Sequence, residues 1–127
     1  MLQDSKAFSG FAVDDVERAR AFYVDVLGLD ASIDGEMGLL RLNLGGGLSV
    51  LVYPKPNYVP ATYTVLNFPV PDVTATVRGL AERGVQFTRY DGFSQDEDGI
   101  VRGQPGPAIA WFTDPAGNIM SVLEASD

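Results

Sequence analysis

Hydrophobic and polar residues alternate and recur along the chain in an order that is used twice. Residues 7–13 and 62–70 are rich in β-branched and aromatic types and predict strands. A helical pattern follows each. In the first, Val16, Ala19, Tyr23, Val26 and Leu27 fall on one face. Asp14 or Asp15 caps its start, because a carboxylate accepts the free N–H groups of an opening turn. Gly28, free to take positive φ, ends it. In the second, Asp72 is the cap, Val73, Val77, Leu80 and Ala81 form the stripe, and Gly84 is the stop.

Three further strands are expected after each helix, at about 29–34, 37–44 and 48–54, and again at about 85–90, 108–113 and 119–124. Gly45-Gly46-Gly47 supplies a tight hairpin turn in the first half. Asp114-Pro115-Ala116-Gly117-Asn118 closes the last hairpin of the second. The order is βαβββ twice. Short matches support a repeat: Val13-Asp14-Asp15-Val16 returns as Val70-Pro71-Asp72-Val73, and Leu48-Ser49-Val50-Leu51 as Met120-Ser121-Val122-Leu123. The fold class expected is α+β, with two βαβββ modules forming curved mixed sheets around a cavity and helices on the outer faces. The chain reads as a single domain over 1–127, with module one at about 6–54, a proline-rich linker at about 55–61 and module two at about 62–124.

A helix covers only one face of a sheet, so the other face is the default binding surface. The period of two puts Phe8, Gly10 and Ala12 on one such face, and Val65 with Asn67 on the other. With Ser49, Leu51, Tyr53, Ser121 and Leu123 they describe an apolar pocket holding a few hydroxyls. Trp111 either stacks on a flat ligand or fills the core. Residues 91–107 form the longest irregular stretch, read either as a lid carrying Tyr90, Gln95 or Asp96 over the pocket or as a solvated loop. Arg41, Arg89 and Arg102 are candidates for an anionic ligand, with pairing to surface carboxylates the expected role.

Composition narrows the chemistry. Of the 127 residues, 46% are hydrophobic, as a buried core requires. Lys and Arg number 9 against 17 Asp and Glu, a formal net charge of −8, which disfavours nucleic acid and anionic membranes as partners. It would also favour a cationic ligand. Cysteine and histidine are absent, which removes disulfides, thiolate and imidazole metal ligands, cysteine nucleophiles and Ser-His-Asp triads. With no apolar run long enough for a membrane span and no signal-like N-terminus, the expected location is cytoplasmic.

Three segments carry a family resemblance. Val13-Asp14-Asp15-Val16-Glu17-Arg18-Ala19-Arg20-Ala21-Phe22-Tyr23, followed by Val26-Leu27-Gly28-Leu29, resembles the opening strand–helix unit of the vicinal oxygen chelate superfamily, which includes glyoxalase I, extradiol dioxygenases and bleomycin-resistance proteins. Val70-Pro71-Asp72-Val73 through Gly84-Val85 is the same unit again. Phe112-Thr113-Asp114-Pro115-Ala116-Gly117-Asn118 is similar to the family's closing turn. Catalytic members hold one divalent metal on His, Gln or Glu from the first and fourth strands of each half. Carried over by position, those sites are Phe8, Ser49, Val65 and Ser121, with Asn67 next on the same strand as Val65. Two hydrocarbons and two neutral hydroxyls do not make such a site.

The resemblance therefore implies a metal-independent, bleomycin-resistance-like protein, with no cofactor, that binds a small organic molecule and sequesters a drug as one form of that role. The pocket it implies is Phe8, Ser49, Leu51, Tyr53, Val65, Asn67, Tyr90, Trp111 and Ser121. It also implies a homodimer whose partner subunit completes the pocket. The alternatives are a lyase, isomerase or dioxygenase of the same superfamily, with acid–base work falling to Tyr53, Tyr90, Asp91 or Asp96, and a non-catalytic accessory domain.

Overall fold

A computed structural model describes residues 1–103 and 105–126. The chain divides into two compact units, Met1–Val59 and Pro60–Asp127. The first contains β1 (Ser9–Val13), α1 (Val16–Arg20, running on through a π-helical turn at Ala21–Val26), β2 (Asp30–Asp34), β3 (Leu39–Asn43) and β4 (Ser49–Pro54). The second contains β5 (Thr64–Val70), α2 (Val73–Glu82), β6 (Phe87–Thr88), β7 (Ile109–Thr113) and β8 (Ile119–Glu124). The α+β class and the repeated βαβββ order are both present.

The two sheets have the same topology, β1-β4-β3-β2 and β5-β8-β7-β6. In each, the first and last strands of the unit run parallel and the other neighbours antiparallel. Alternation then sorts the side chains. Phe11, Val13, Leu40, Leu42, Val50 and Val52 are buried on the helix side of the first sheet, with Ala19 and Tyr23 from the helix. In the second, Ala110, Phe112, Met120 and Val122 are buried with Val73 and Val77 of α2. Taking such residues out of water is the main stabilising term in each unit.

The caps form as carboxylate chemistry requires. Asp15, not Asp14, accepts from the Arg18 N–H at 3.1 Å, and Asp72 accepts from the Ala75 N–H at 3.0 Å. Gly28 stops the first helix at φ 76° and Gly84 the second at φ 94°.

Five details refine or correct the sequence expectation. β1 begins at Ser9, so Phe8 precedes the strand and is 61% exposed. The first helix ends in a π turn, where the Leu27 N–H reaches Phe22 O. The hairpin turn at Gly45–Gly47 takes 3-10 form, closed by the Leu44 N–H to Leu48 O bond at 2.8 Å. β6 is only Phe87–Thr88, because the Val85 N–H is bonded to Leu80 O at the helix end and the Tyr90 N–H to the Gln95 side chain. The 91–107 stretch is tied down at its middle: bridges Gln95↔Val101 and Val101↔Ile109 join it to β7, and Ile100 and Val101 are buried, while 91–94 and 105–107 are exposed. Gln104 of that stretch lies outside the described residues.

Candidate functional site

The face of each sheet away from its helix carries exposed and half-buried side chains. On the first, Gly10, Ala12, Leu51, Tyr53 and Arg41 share a side, with Gly10 opposite Leu51, Ala12 opposite Tyr53, and Arg41 opposite Leu51. Ser49 and Asn43 are paired further along the same face. A Cβ at Gly10 would lie 3.1 Å from Leu51 O, so glycine allows β1 to lie close against β4. The Phe8 ring lies under the Arg41 guanidinium, 5.6 Å from carbon to centroid, and Ser49 Oγ accepts from Arg41 Nη1 at 3.3 Å. A recess of about 200 Å³ beside Arg41 is walled by Ser32, Ile33, Asp34, Leu39 and Leu51.

On the second sheet, Ser121 is fully buried between Asn67 and Trp111 in the register. Its hydroxyl donates to Asn67 Oδ1 at 2.5 Å. Val65 has no partner in the register. β5 shifts register between Thr64 and Leu66, so Thr64 aligns with Ile119 and Asn67 with Ser121, while Val65 is skipped. A bulge inserts one residue and breaks the parity that alternation assumes. Asn67 therefore stands beside Ser121.

Trp111 is half-buried on this face, Tyr90 meets it edge-on at 5.6 Å and Phe93 leans on it at 5.3 Å. With Tyr63, Thr64 and Ile119 they line a recess of about 180 Å³. Tyr63 is largely exposed there and Phe93 partly so. Sequence reasoning selected Trp111 and Tyr90 and missed these two, which join Trp111 only through folding. A larger recess, about 830 Å³, lies at the start of α2 near Thr74, Arg102 and Glu124. Its charged groups are already engaged. Glu124 accepts from the Val73 N–H, and Arg102 binds Asp96 and the Thr74 hydroxyl.

The donor set at the positions corresponding to metal ligands does not fit a divalent ion. Phe8 is a ring under a cation, Ser49 accepts from that cation, Ser121 is committed to Asn67, and Val65 is hydrocarbon. Among the described residues, no group of three or more His, Cys, Asp or Glu is placed to hold a metal.

Two candidates of the 91–107 stretch, Gln95 from the lid reading and Asp96 from the acid–base set, have engaged side chains. Gln95 Oε1 accepts from the Tyr90 N–H, and its amide donates to Thr88 O and Gly99 O. Asp96 accepts from the Asp98 and Ile100 N–H groups and from Arg102. Burial pushes the Asp96 carboxyl up, but the Ile100 N–H, the Arg102 guanidinium and the Asp98 N–H together outweigh it and hold the group below its ordinary range. A carboxylate so stabilised is a weak base. Arg78 is raised, chiefly by its hydrogen bond to Asp98. Arg89 donates to the Asp96 and Glu97 carbonyls.

The profile of the Glyoxalase/Bleomycin resistance protein/Dioxygenase superfamily matches residues 8–122. Among solved structures, TnmS3, an antibiotic binding protein from Streptomyces sp. CB03234, is 27% identical with a TM-score of 0.71, over 98% of this chain and 99% of that one. A glyoxalase/bleomycin resistance protein from the same Streptomyces is 26% identical, with a TM-score of 0.64 over 93% of this chain and all of its own. A glyoxalase family protein from Bacillus anthracis, 18% identical with a TM-score of 0.73 over 99% of this chain and all of its own, shares the fold. A search of curated proteins finds no match.

Proposed function

The chain belongs to the glyoxalase/bleomycin resistance/dioxygenase superfamily, and from that premise we propose that it binds a flat organic molecule on its open sheet faces without a metal, sequestering it rather than converting it. The aromatic recess at Trp111 carries this reading. A half-buried indole, with Tyr90 and Phe93 against it and open space beside it, offers a stacking surface for a planar ring. The similarity to an antibiotic binding protein favours a drug-like ligand. The engaged carboxylate of Asp96 favours binding over acid–base catalysis at that residue. On this reading the protein works in the cytoplasm as a homodimer whose second copy encloses the ligand, and light scattering should give twice the chain mass.

Trp111 is the chain's one tryptophan, so its fluorescence reports this site alone. Titration with a panel of polycyclic aromatic antibiotics is expected to quench it, equally with and without EDTA. Trp111→Ala should weaken binding of the quenching compounds, followed by calorimetry, about tenfold, from lost stacking of about 1 kcal/mol or slightly more. Indifference of the indole to the whole panel, or binding abolished by EDTA, would overturn the proposal.

A further inference from the structure

In a chain with 17 acidic residues, arginines are expected to find carboxylates. Arg78 pairs with Asp98 and Glu97, and Arg102 with Asp96. Arg41 does not. Among the described residues its side chain is held by the Phe8 ring and the Ser49 hydroxyl. It stands mid-face on β3, opposite Ser32 on one side and Leu51 on the other, at the mouth of the recess of about 200 Å³. Resting on the reading of the open faces as ligand surfaces, we propose that Arg41 anchors the carboxylate of an organic molecule held on the first sheet, whose apolar part lies along Leu39 and Leu51.

The arrangement is suited to one negative charge. A guanidinium presents a planar fork of N–H donors that matches a carboxylate, and the single bond to Ser49 leaves most of the fork free. The ring beneath steadies the plane, which reduces the ordering cost of binding. Asp34 closes the recess and faces any anion there. Its Oδ1 accepts from the Glu36 and Met37 N–H groups, which ties it to its own turn, and it forms no ion pair with Arg41. A dianion such as phosphate would leave one charge uncompensated beside this carboxylate, in a protein of net charge −8. A monoanionic carboxylate is balanced by Arg41 alone. The general preference of an acidic protein for cations is overridden at this point, because direct contact outweighs charges screened over about 8–10 Å.

The test is NMR titration of the full chain with benzoate, neutral benzamide and inorganic phosphate, following the Arg41 side-chain N–H and the Leu39 and Leu51 amides. Benzoate is expected to shift these signals, with benzamide and phosphate at least about tenfold weaker, the worth of one charge-assisted pair. Arg41→Gln should weaken benzoate by about the same factor and leave benzamide unchanged, while Arg41→Lys should restore part of the loss. Equal binding of benzoate and benzamide, no benzoate-induced shift at Arg41, or benzoate binding indifferent to Arg41→Gln would each overturn the assignment. Quenching of Trp111 by the antibiotic panel, read in the same Arg41→Gln protein, separates the two proposals. Retained quenching with unchanged benzoate binding removes the Arg41 anchor alone, whereas loss of quenching in the unaltered chain removes the ligand-binding reading itself.

Discussion

Gly117 and Asp96 show how single residues hold the surroundings of the second open face. Gly117 has φ 94°, and a Cβ there would come within 3.2 Å of Pro60. The turn around it is fastened by Asp114, whose Oδ1 accepts from the Ala116 and Asn118 N–H groups, and by Asn118 Oδ1, which accepts from the Ala61 N–H. Gly117→Ala therefore meets both a left-handed backbone and a crowded neighbour. It should cost about 1–2 kcal/mol or somewhat more, read as a lower urea midpoint with an unchanged slope. Asp96 makes the 91–107 stretch pH-sensitive. Its folded carboxyl titrates below the ordinary value, so its contribution is present above the unfolded value of about 3.9 and is lost as pH falls through the folded one. Asp96→Asn should be less stable than the parent at neutral pH, and the gap in urea stability should close under acid. A gap that persists unchanged at pH 2–3, well below the ordinary Asp value of about 3.9, would show that the lost charge is not the cause.

Elements were legible in the sequence where local chemistry decides them. Asp15 and Asp72 cap helices because a carboxylate satisfies opening N–H groups in any tertiary setting, and Gly28 and Gly84 end them for a similarly local reason. The strand partners of these helices followed from alternation. The bulge at Val65 did not, since period-two reading presumes an unbroken strand. Nor did the shortness of β6, set by the Gln95 side chain bonding across to Tyr90, Thr88 and Gly99. Of the candidate site, Trp111 and Ser121 were placed by register with their strand. Phe93 and Tyr63 come from segments without period, and only the folded loop brings them to the indole. Arg41 was marked as one of three arginines, and it was the tertiary outcome, two with acceptors in the loop and one with a ring and a hydroxyl, that singled it out.

For the whole molecule, the repeated topology makes each unit depend on its last-made strand. β8 lies between β5 and β7, as β4 lies between β1 and β3. A chain stopped after Asn118 should lose cooperative unfolding and the dispersed amide signals of residues 60–118, because β5 and β7 would face each other across an empty place. During synthesis the same arrangement leaves each nascent sheet with a slot that stays open until its final strand leaves the ribosome. Strand edges unpaired for that interval invite association with other chains. A pause in translation shortly before β4 or β8 would lengthen the interval, so yield in the cell should respond to codon speed in those two short windows more than elsewhere.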